Sequence, residues 1–197
     1  MTENNHLSFI QHTIEQSITL KTRLLEDDDL LQGISQLSNR LIDVFKRGNR
    51  LLIAGNGGSA ADAQHIAAEF VCRFNFERPG LPAMALATNY SVMTAAGNDY
   101  CFDDVFAREI EANGRAGDLF IGISTSGNSR NILNAIDACK SKDIFSAGLS
   151  GAAGELQQRA DICLKIPSQQ TPRIQECHIL LGHMLCEIVE NHLFARM

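Results

Sequence analysis

The chain has 197 residues, of which 45% are hydrophobic and 20% are charged, and its formal net charge at pH 7 is -6. These values are typical of a globular protein that is long enough to bury one sizeable core. The acidic balance and the absence of any Lys/Arg block argue against binding to nucleic acid or to an anionic membrane surface.

The N-terminal segment and the cysteines indicate a cytoplasmic protein. The first residues are polar and do not form a secretory signal, and no run of 18 apolar residues predicts a transmembrane helix. Six cysteines are scattered along the chain without a Cys-x-x-Cys pair. In a chain of this length the pattern predicts reduced thiols rather than disulfides.

The hydrophobic pattern predicts two N-terminal helices and then an alternation of strands and helices. The N-terminal helices are expected over 6–25 and 29–47. Five apolar runs of strand length follow, at 51–54, 83–87, 119–123, 144–149 and 162–166. The segments between them have helical length, at 59–75, 91–112, 129–141 and 154–160, and a long final helix is expected over 172–194. Strands that are apolar on both faces and alternate with helices predict a doubly wound α/β fold with a parallel sheet.

A glycine-rich turn, Gly55-Asn56-Gly57-Gly58-Ser59, follows a predicted strand and begins a predicted helix. Glycines allow a ligand to approach the backbone, and a helix N-terminus favours an anion. The turn also fits the dinucleotide pattern G-x-G-x-x-A. That pattern requires an acidic residue at the end of the next strand, where this chain has Thr88 and Asn89. A nicotinamide cofactor is therefore not expected.

The second turn, Ser124-Thr125-Ser126-Gly127-Asn128-Ser129, lies between a strand and a helix. Four hydroxyls, a glycine and a helix N-terminus can hold a phosphate with neutral donors. The alternative is a serine-rich loop that only caps the helix. Because one hydroxyl suffices for a cap, four favour phosphate. The chain lacks G-x-x-x-x-G-K-[ST], so an ATP-type P-loop is not expected.

Two predicted helices carry residues that could bind a metal. His65 and Glu69 are four residues apart and share a helix face, with Asp62 one turn earlier. Gln175 and His183, on the last helix, also fall in one quadrant, and Gly182 would let another element pack closely. Two His, one Glu and one Gln could bind zinc, although Gln is an uncommon zinc ligand. Ordinary hydrogen bonding among the same side chains is the alternative.

Five segments resemble the phosphoheptose isomerases of the SIS (sugar isomerase) family over essentially the whole chain. They are "GNGGSAADAQHIAAEF", "RPGLPA", "TAAGNDY", "GDLFIGISTSGNS" and "RIQECHILLGHMLCEIVENHLF". The resemblance implies one SIS domain over 1–197 with a five-stranded, flavodoxin-like parallel sheet. Residues 1–48 would pack on the core and form contacts in a cytoplasmic homotetramer. The expected reaction converts D-sedoheptulose 7-phosphate to D-glycero-D-manno-heptose 7-phosphate, the first step toward ADP-heptose and the lipopolysaccharide core.

The resemblance also implies roles for individual residues. It implies one zinc ion per subunit, bound by His65, Glu69, Gln175 and His183. Our hypothesis makes Glu69 the catalytic base and His183 the catalytic acid. The expected contacts with the sugar phosphate are Asn56, Gly57, Gly58, Ser59, Glu69, Arg73, Asn98, Asp99, Ser124, Thr125, Ser126, Ser129 and Gln175, with Arg73 reaching across a subunit boundary. Some members have an acidic residue just before "RIQE", where this chain has Pro172 and Arg173, so no role of that acid transfers.

Two alternatives stay open within the same fold. One is a non-catalytic module that binds a phosphosugar or a replication-initiator protein. That branch lacks the residues matching Glu69 and His183, and both are present here. The other is an amino-sugar isomerase or etherase, which resembles this chain only in the serine-rich loop and usually has further domains.

Overall fold

A computed structural model describes residues 3–195 as a five-stranded sheet flanked by helices. The N-terminal helices are α1 (Glu3–Leu25) and α2 (Asp28–Lys46). The remaining elements follow in the order β1 (Leu51–Gly55), α3 (Gly58–Val71), β2 (Ala83–Ala85), α4 (Tyr90–Asp99), α5 (Val105–Asn113), β3 (Leu119–Ser124), α6 (Arg130–Ser141), β4 (Phe145–Ser150), α7 (Leu156–Arg159), β5 (Ile162–Lys165) and α8 (Thr171–Phe194).

All strand pairs in the sheet are parallel, and the strand order is β2-β1-β3-β4-β5. This arrangement confirms the predicted α/β class and the five-stranded flavodoxin-like order. The chain direction across the sheet reverses between β1 and β3. In such folds a ligand binds in the crevice beyond the carboxyl ends of the strands at that reversal. The glycine-rich and serine-rich turns follow β1 and β3, so they lie at this crevice.

Alternate residues of the central strands supply two separate hydrophobic cores. Leu51 and Ile53 of β1 belong to the core that α2, α3 and α8 cover. Leu52 and Ala54 belong to the core on the other face, with residues of α4 to α7. This burial on both faces explains why the strands are apolar at consecutive positions. The two N-terminal helices extend the first layer, because α1 and α2 both pack against α8.

Two predicted helices are shorter than expected. The segment 91–112 is not one helix: α4 ends at Asp99, a 3-10 turn covers Phe102–Asp104, and α5 follows. The connecting residues do not continue the apolar spacing that would hold one helix on the core, and Tyr100, Cys101 and Phe102 are exposed. The helix predicted over 59–75 ends at Val71, because the next amides bond to a side chain of α8 instead, as described below. Within residues 3–195, no helix combines the length and the apolar character that crossing a membrane requires.

Candidate active site

The glycine-rich turn connects β1 to α3 at the crevice. Gly57 has a φ of +56°, a conformation that glycine adopts without strain. No side chain caps the start of α3, although the amides of Ser59 and Ala60 already donate to the carbonyl oxygens of Asn56 and Gly57. Of the predicted residues here, Gly57 and Gly58 are exposed, whereas Asn56 is half-buried and Ser59 is buried.

The serine-rich turn forms a hydroxyl cluster between β3 and α6. Ser124 Oγ lies 2.8 Å from Ser129 Oγ and 3.4 Å from Ser126 Oγ. Ser129 is the N-cap residue of α6, but its hydroxyl makes no capping hydrogen bond. Ser129 therefore does not cap the helix, but Ser126 Oγ and Ser124 Oγ accept hydrogen bonds from the amides of Asn128 and Ser129, so both the phosphate and the structural interpretation stay open. Thr125 lies in the same turn and is half-buried.

A pair of asparagines joins the two turns, and only one of them was predicted. Asn56 and Asn131 exchange two amide hydrogen bonds, each 2.9 Å long. Asn131 is the second residue of α6 and is buried. The pair fixes the glycine-rich turn relative to the serine-rich turn. The sequence offered one signal, a polar residue at a buried helix position.

The helices α3 and α8 pack closely in parallel orientation. A Cβ added to Gly58 would overlap the Gln175 amide, and one added to Gly182 would lie 2.5 Å from Ile66 Cδ1. A side chain at either glycine would therefore require Gln175 or Ile66 to move. The close packing expected from Gly182 is confirmed.

The same packing brings His65, Glu69 and His183 together. His65 Nε2 lies 3.0 Å from Glu69 Oε1 and 3.3 Å from His183 Nε2. His183 Nε2 lies 3.5 Å from Glu69 Oε1. The three donor atoms fall within 4.8 Å of one another. Two imidazole nitrogens and one carboxylate oxygen form a donor set that suits zinc and leaves a position open for substrate. Glu69 Oε2 is buried without a hydrogen-bond partner, so the carboxylate is not satisfied by protein groups alone.

Gln175 lies nearer the glycine-rich turn than the other three proposed ligands. Its amide contacts Gly58, seven residues before His65, which is about 10 Å along a helix. The structure thus places Gln175 beside the turn expected to bind the sugar. A role as a fourth metal ligand stays a prediction.

Two further groups surround the triad. Burial raises the pKa of Asp62, and the nearby His65 and His183 only partly offset that effect. One oxygen of Asp62 is buried without a partner. Burial also raises the pKa of the Cys186 thiol, and the Glu69 carboxylate raises it further. Cys186 is therefore a neutral group beside Glu69.

A buried ion pair holds the segment that follows α3. Arg78 Nε lies 3.0 Å from Glu190 Oε1, and Arg78 also donates to the carbonyl oxygens of Glu69 and Phe70. Glu190 accepts hydrogen bonds from the amides of Phe74 and Asn75. These bonds end α3 at Val71 and attach its C-terminal turn to α8. The sequence analysis missed the pair, although a charged residue within the apolar face of α8 indicates a buried partner.

Three predicted contacts lie at exposed positions. Arg73 is exposed beyond the end of α3. Asn98 and Asp99 are exposed at the end of α4, where Asn98 donates to Asp99 over 2.9 Å. Among the described residues, no hydrogen bond connects these three side chains to the triad or to the two turns. Their contact with the substrate stays a prediction.

The comparisons with known proteins agree with this architecture. The SIS domain family matches residues 14–151. The chain is 53% identical over 187 residues to a phosphoheptose isomerase of Aneurinibacillus thermoaerophilus, covering 94% of each chain. It is 54% identical over 190 residues to phosphoheptose isomerase 2 of Campylobacter jejuni, covering 96% of this chain and 94% of the relative. The structure of a phosphoheptose isomerase from Francisella tularensis superposes with a TM-score of 0.90 at 35% identity, covering 97% of this chain and all of that one. With this similarity along nearly its whole length, the chain belongs to the phosphoheptose isomerases of the SIS-domain family.

Proposed function

We propose that the protein is an aldose–ketose isomerase that converts D-sedoheptulose 7-phosphate to D-glycero-D-manno-heptose 7-phosphate. The observation that carries the proposal is the position of the His65, Glu69 and His183 cluster on the helix that begins at the glycine-rich turn. Hydrogen bonds between Asn56 and Asn131 connect the glycine-rich turn to the hydroxyl cluster. The arrangement provides one place for an anion and another for proton transfer.

The hydroxyl cluster would bind the phosphate group. Ser124, Thr125, Ser126 and Ser129 would contact the phosphate oxygens, with the first N–H groups of α6 behind them. These donors are neutral, so the phosphate would be bound without a lysine, although the formal charge of the chain is negative. Binding the distant phosphate positions the reacting carbons of the sugar, which lowers the entropic part of the barrier.

The metal ligands would be His65, Glu69, Gln175 and His183, with one Zn²⁺ per subunit. Zinc, when bound, would supply a positive charge that polarises the sugar carbonyl and orients its oxygens. The described donor set supports this assignment for three of the four residues. Gln175 would contact both the metal and the sugar from its position beside Gly58.

The chain's own groups would carry the protons. Because a metal-bound carboxylate is a poor base and a metal-bound imidazole a poor acid, Glu69 and His183 would have to exchange off the metal during turnover. Glu69 would remove a proton from C1 of the ketose while His183 donates one to the carbonyl oxygen at C2, which gives an enediol. Glu69 would return the proton to C2, and the hydroxyl oxygen on C1 would give its proton to His183 as the aldehyde forms. Both side chains end the cycle as they began it, as general acid–base catalysis of isomerisation requires.

One further contact would come from assembly into a homotetramer. Arg73 is exposed, as expected for a residue that reaches a site in another subunit, and Asn98 and Asp99 would also contact the sugar phosphate. The N-terminal helix α1 has an apolar face in which Leu7, Ile10, Ile14 and Ile18 are each at least half exposed. A second subunit would cover this face. We also propose that the protein acts in the cytoplasm, on the path to ADP-heptose, and its six unpaired cysteines suit a reducing compartment.

Proton NMR of the protein with sedoheptulose 7-phosphate tests the proposal. The expected result is that anomeric signals of the heptose develop with time, do not develop in the presence of a chelator, and develop again after zinc is added. Glu69→Gln should lower kcat by a factor of about 10² to 10⁴, while Glu77→Gln, an exposed control, should not change it. A near-native rate in Glu69→Gln would show that Glu69 is not the base. If wild-type protein with zinc forms no heptose, the protein is a binding module and not an isomerase.

A further inference from the structure

His178 is a buried imidazole between the metal-binding face of α8 and the end of β4. It is fully buried, and its Nε2 lies 3.2 Å from the carbonyl oxygen of Ser150. A carbonyl only accepts, so Nε2 carries the proton. Burial lowers the pKa of His178 to about 4, against a smaller opposing effect of the Ser150 hydrogen bond. The side chain is therefore a neutral donor at physiological pH.

The acceptor of this hydrogen bond lies directly beside the hydroxyl cluster. Ser150 pairs in register with Ser124 across β3 and β4. The next residue, Gly151, donates its N–H to the carbonyl oxygen of Thr125 over 3.2 Å. A Cβ on Gly151 would lie 2.5 Å from that oxygen and 2.8 Å from Ile174 Cδ1 of α8. The Ser150–Gly151 turn is thus packed between the phosphate loop and α8.

The donor of this hydrogen bond, His178, lies between the two proposed metal ligands on α8. His178 follows Gln175 by three residues and precedes His183 by five, which is about 4.5 Å and 7.5 Å along the helix. The His178 side chain therefore connects the helix of Gln175 and His183 by a hydrogen bond to the strand end beside Ser124. The sequence analysis assigned no role to His178.

The buried imidazole of His178 lowers the stability of the fold in a way that an apolar side chain would not. His178 Nδ1 is buried and has no hydrogen-bond partner, and an unsatisfied buried acceptor is destabilising. Leucine has a similar volume and no such penalty. The hydrogen bond to Ser150 therefore explains the presence of a histidine at this position better than core packing does.

We propose that His178 is a positioning residue that sets the distance between the metal-binding face of α8 and the phosphate loop. The inference rests on the proposed function, because it concerns a substrate whose phosphate and carbonyl are bound by these two elements. A sugar phosphate spans both, so a small change in their separation displaces the reacting carbons from Glu69 and His183. A displacement of about 1 Å can reduce the rate about 10²-fold.

The test compares His178→Leu with His178→Gln. The Gln amide nitrogen occupies nearly the position of Nε2 and can donate to Ser150, whereas Leu cannot. We expect His178→Leu to lower kcat by a factor of about 10 to 100. Zinc content and competitive inhibition by inorganic phosphate should stay within about twofold of wild type, because each half of the site remains intact. His178→Gln should restore most of kcat. If His178→Leu does not fold, His178→Asn replaces it, since its shorter amide cannot reach Ser150.

Zinc titration followed by NMR separates this inference from the proposed function. In wild type and His178→Gln, zinc should shift the amide signals of Thr125 and Gly151, and in His178→Leu these shifts should be lost. This readout does not depend on turnover, so it stands even if wild type forms no heptose. The inference is overturned if His178→Leu keeps wild-type kcat and zinc-induced shifts. It is also overturned if Gln fails to rescue, or if the Leu variant loses zinc or phosphate binding outright.

Discussion

The Nε2 atoms of His65 and His183 lie 3.3 Å apart, although 118 residues separate them in the chain. Two imidazole nitrogens at this distance either share a proton or direct two lone pairs at one ion. The nearby Glu69 carboxylate favours a cation between them. Bound metal would therefore connect α3, near the start of the sheet, to the last helix of the chain.

Zinc should stabilise the folded protein through this connection. A ligand that binds only the folded state at 100 times its Kd adds about 2.7 kcal/mol to the free energy of unfolding. We expect His183→Ala to remove most of that gain, because one of the histidine ligands is lost. Thermal unfolding with and without zinc measures the effect. His192→Ala is the matched control, since His192 lies on the same helix, is exposed and contacts Lys46. An equal response to zinc in both variants would contradict the site.

Ser129→Ala should weaken substrate binding without weakening the fold. Its hydroxyl contacts Ser124 and does not cap α6, so the free energy of unfolding should change by less than about 0.5 kcal/mol. Loss of a hydrogen bond to a charged phosphate costs about 1.5 kcal/mol or more, which is a rise in KM of about tenfold. Steady-state kinetics and urea unfolding measure the two quantities. Ser141→Ala, at the opposite end of α6, is the control, and an equal effect on KM would exclude phosphate binding by Ser129.

Glu190→Gln should destabilise the protein strongly near neutral pH. Burial raises the pKa of Glu190, but the amides of Phe74 and Asn75 and the Arg78 guanidinium outweigh it, so the pKa lies below its ordinary value of 4.5. A carboxyl whose pKa is lowered by folding stabilises the protein above that value, and the stabilisation is lost as the pH falls through the folded pKa. Breaking one side of a buried ion pair costs about 3 kcal/mol or more.

Urea unfolding at pH 7 and pH 3 checks this sign. The difference between wild type and Glu190→Gln should be large at pH 7 and smaller at pH 3, because pH 3 lies below the ordinary pKa of 4.5 and the carboxyl is then protonated in the unfolded chain. Glu187→Gln, an exposed carboxyl one turn earlier on α8, should change little at either pH. A difference that grows toward acid pH would mean that Glu190 is not stabilised in its charged form.

Ile14→Arg should disrupt the proposed tetramer and leave each subunit folded. Ile14 is 54% exposed in the apolar face of α1, so the single subunit loses little buried area when it is replaced. In an assembly the same change would bury an unpaired charge. Light scattering gives the molecular mass, and circular dichroism confirms the helices. Gln158→Arg places the same charge on α7, and a tetramer that survives both changes would place the interface elsewhere.

The residues of the triad could be predicted because each helix carries its own part of the pattern. His65 and Glu69 are one turn apart on α3, and the resemblance to the family implied His183. Their contact could not be obtained from spacing, because it depends on how closely α3 approaches α8. Only Gly182 indicated that approach, and the structure shows Ile66 against it.

Asn131 and Glu190 were missed for a different reason. Each acts through a partner remote in sequence: Asn56 for Asn131, and Arg78 together with the amides of Phe74 and Asn75 for Glu190. A polar residue in a helix looks like a solvated one until its burial is known. One helix boundary was wrong at the same place, since the amides that follow α3 bond to Glu190 and the sequence pattern does not show this contact.

The contact between Gly182 and Ile66 also bears on which ion the protein selects. His183 follows Gly182 and His65 precedes Ile66, so the spacing of the two backbones at this contact fixes how far apart the imidazoles stand. A methyl group at position 182 would require the Ile66 side chain or the helices to move, and a shift of the helices would increase the separation of the three donors. Zinc, with nitrogen bonds of about 2.0 to 2.1 Å, would lose its fit before a cation of larger radius. If zinc binds here as proposed, Gly182 therefore contributes to the fit between the donors and the ion.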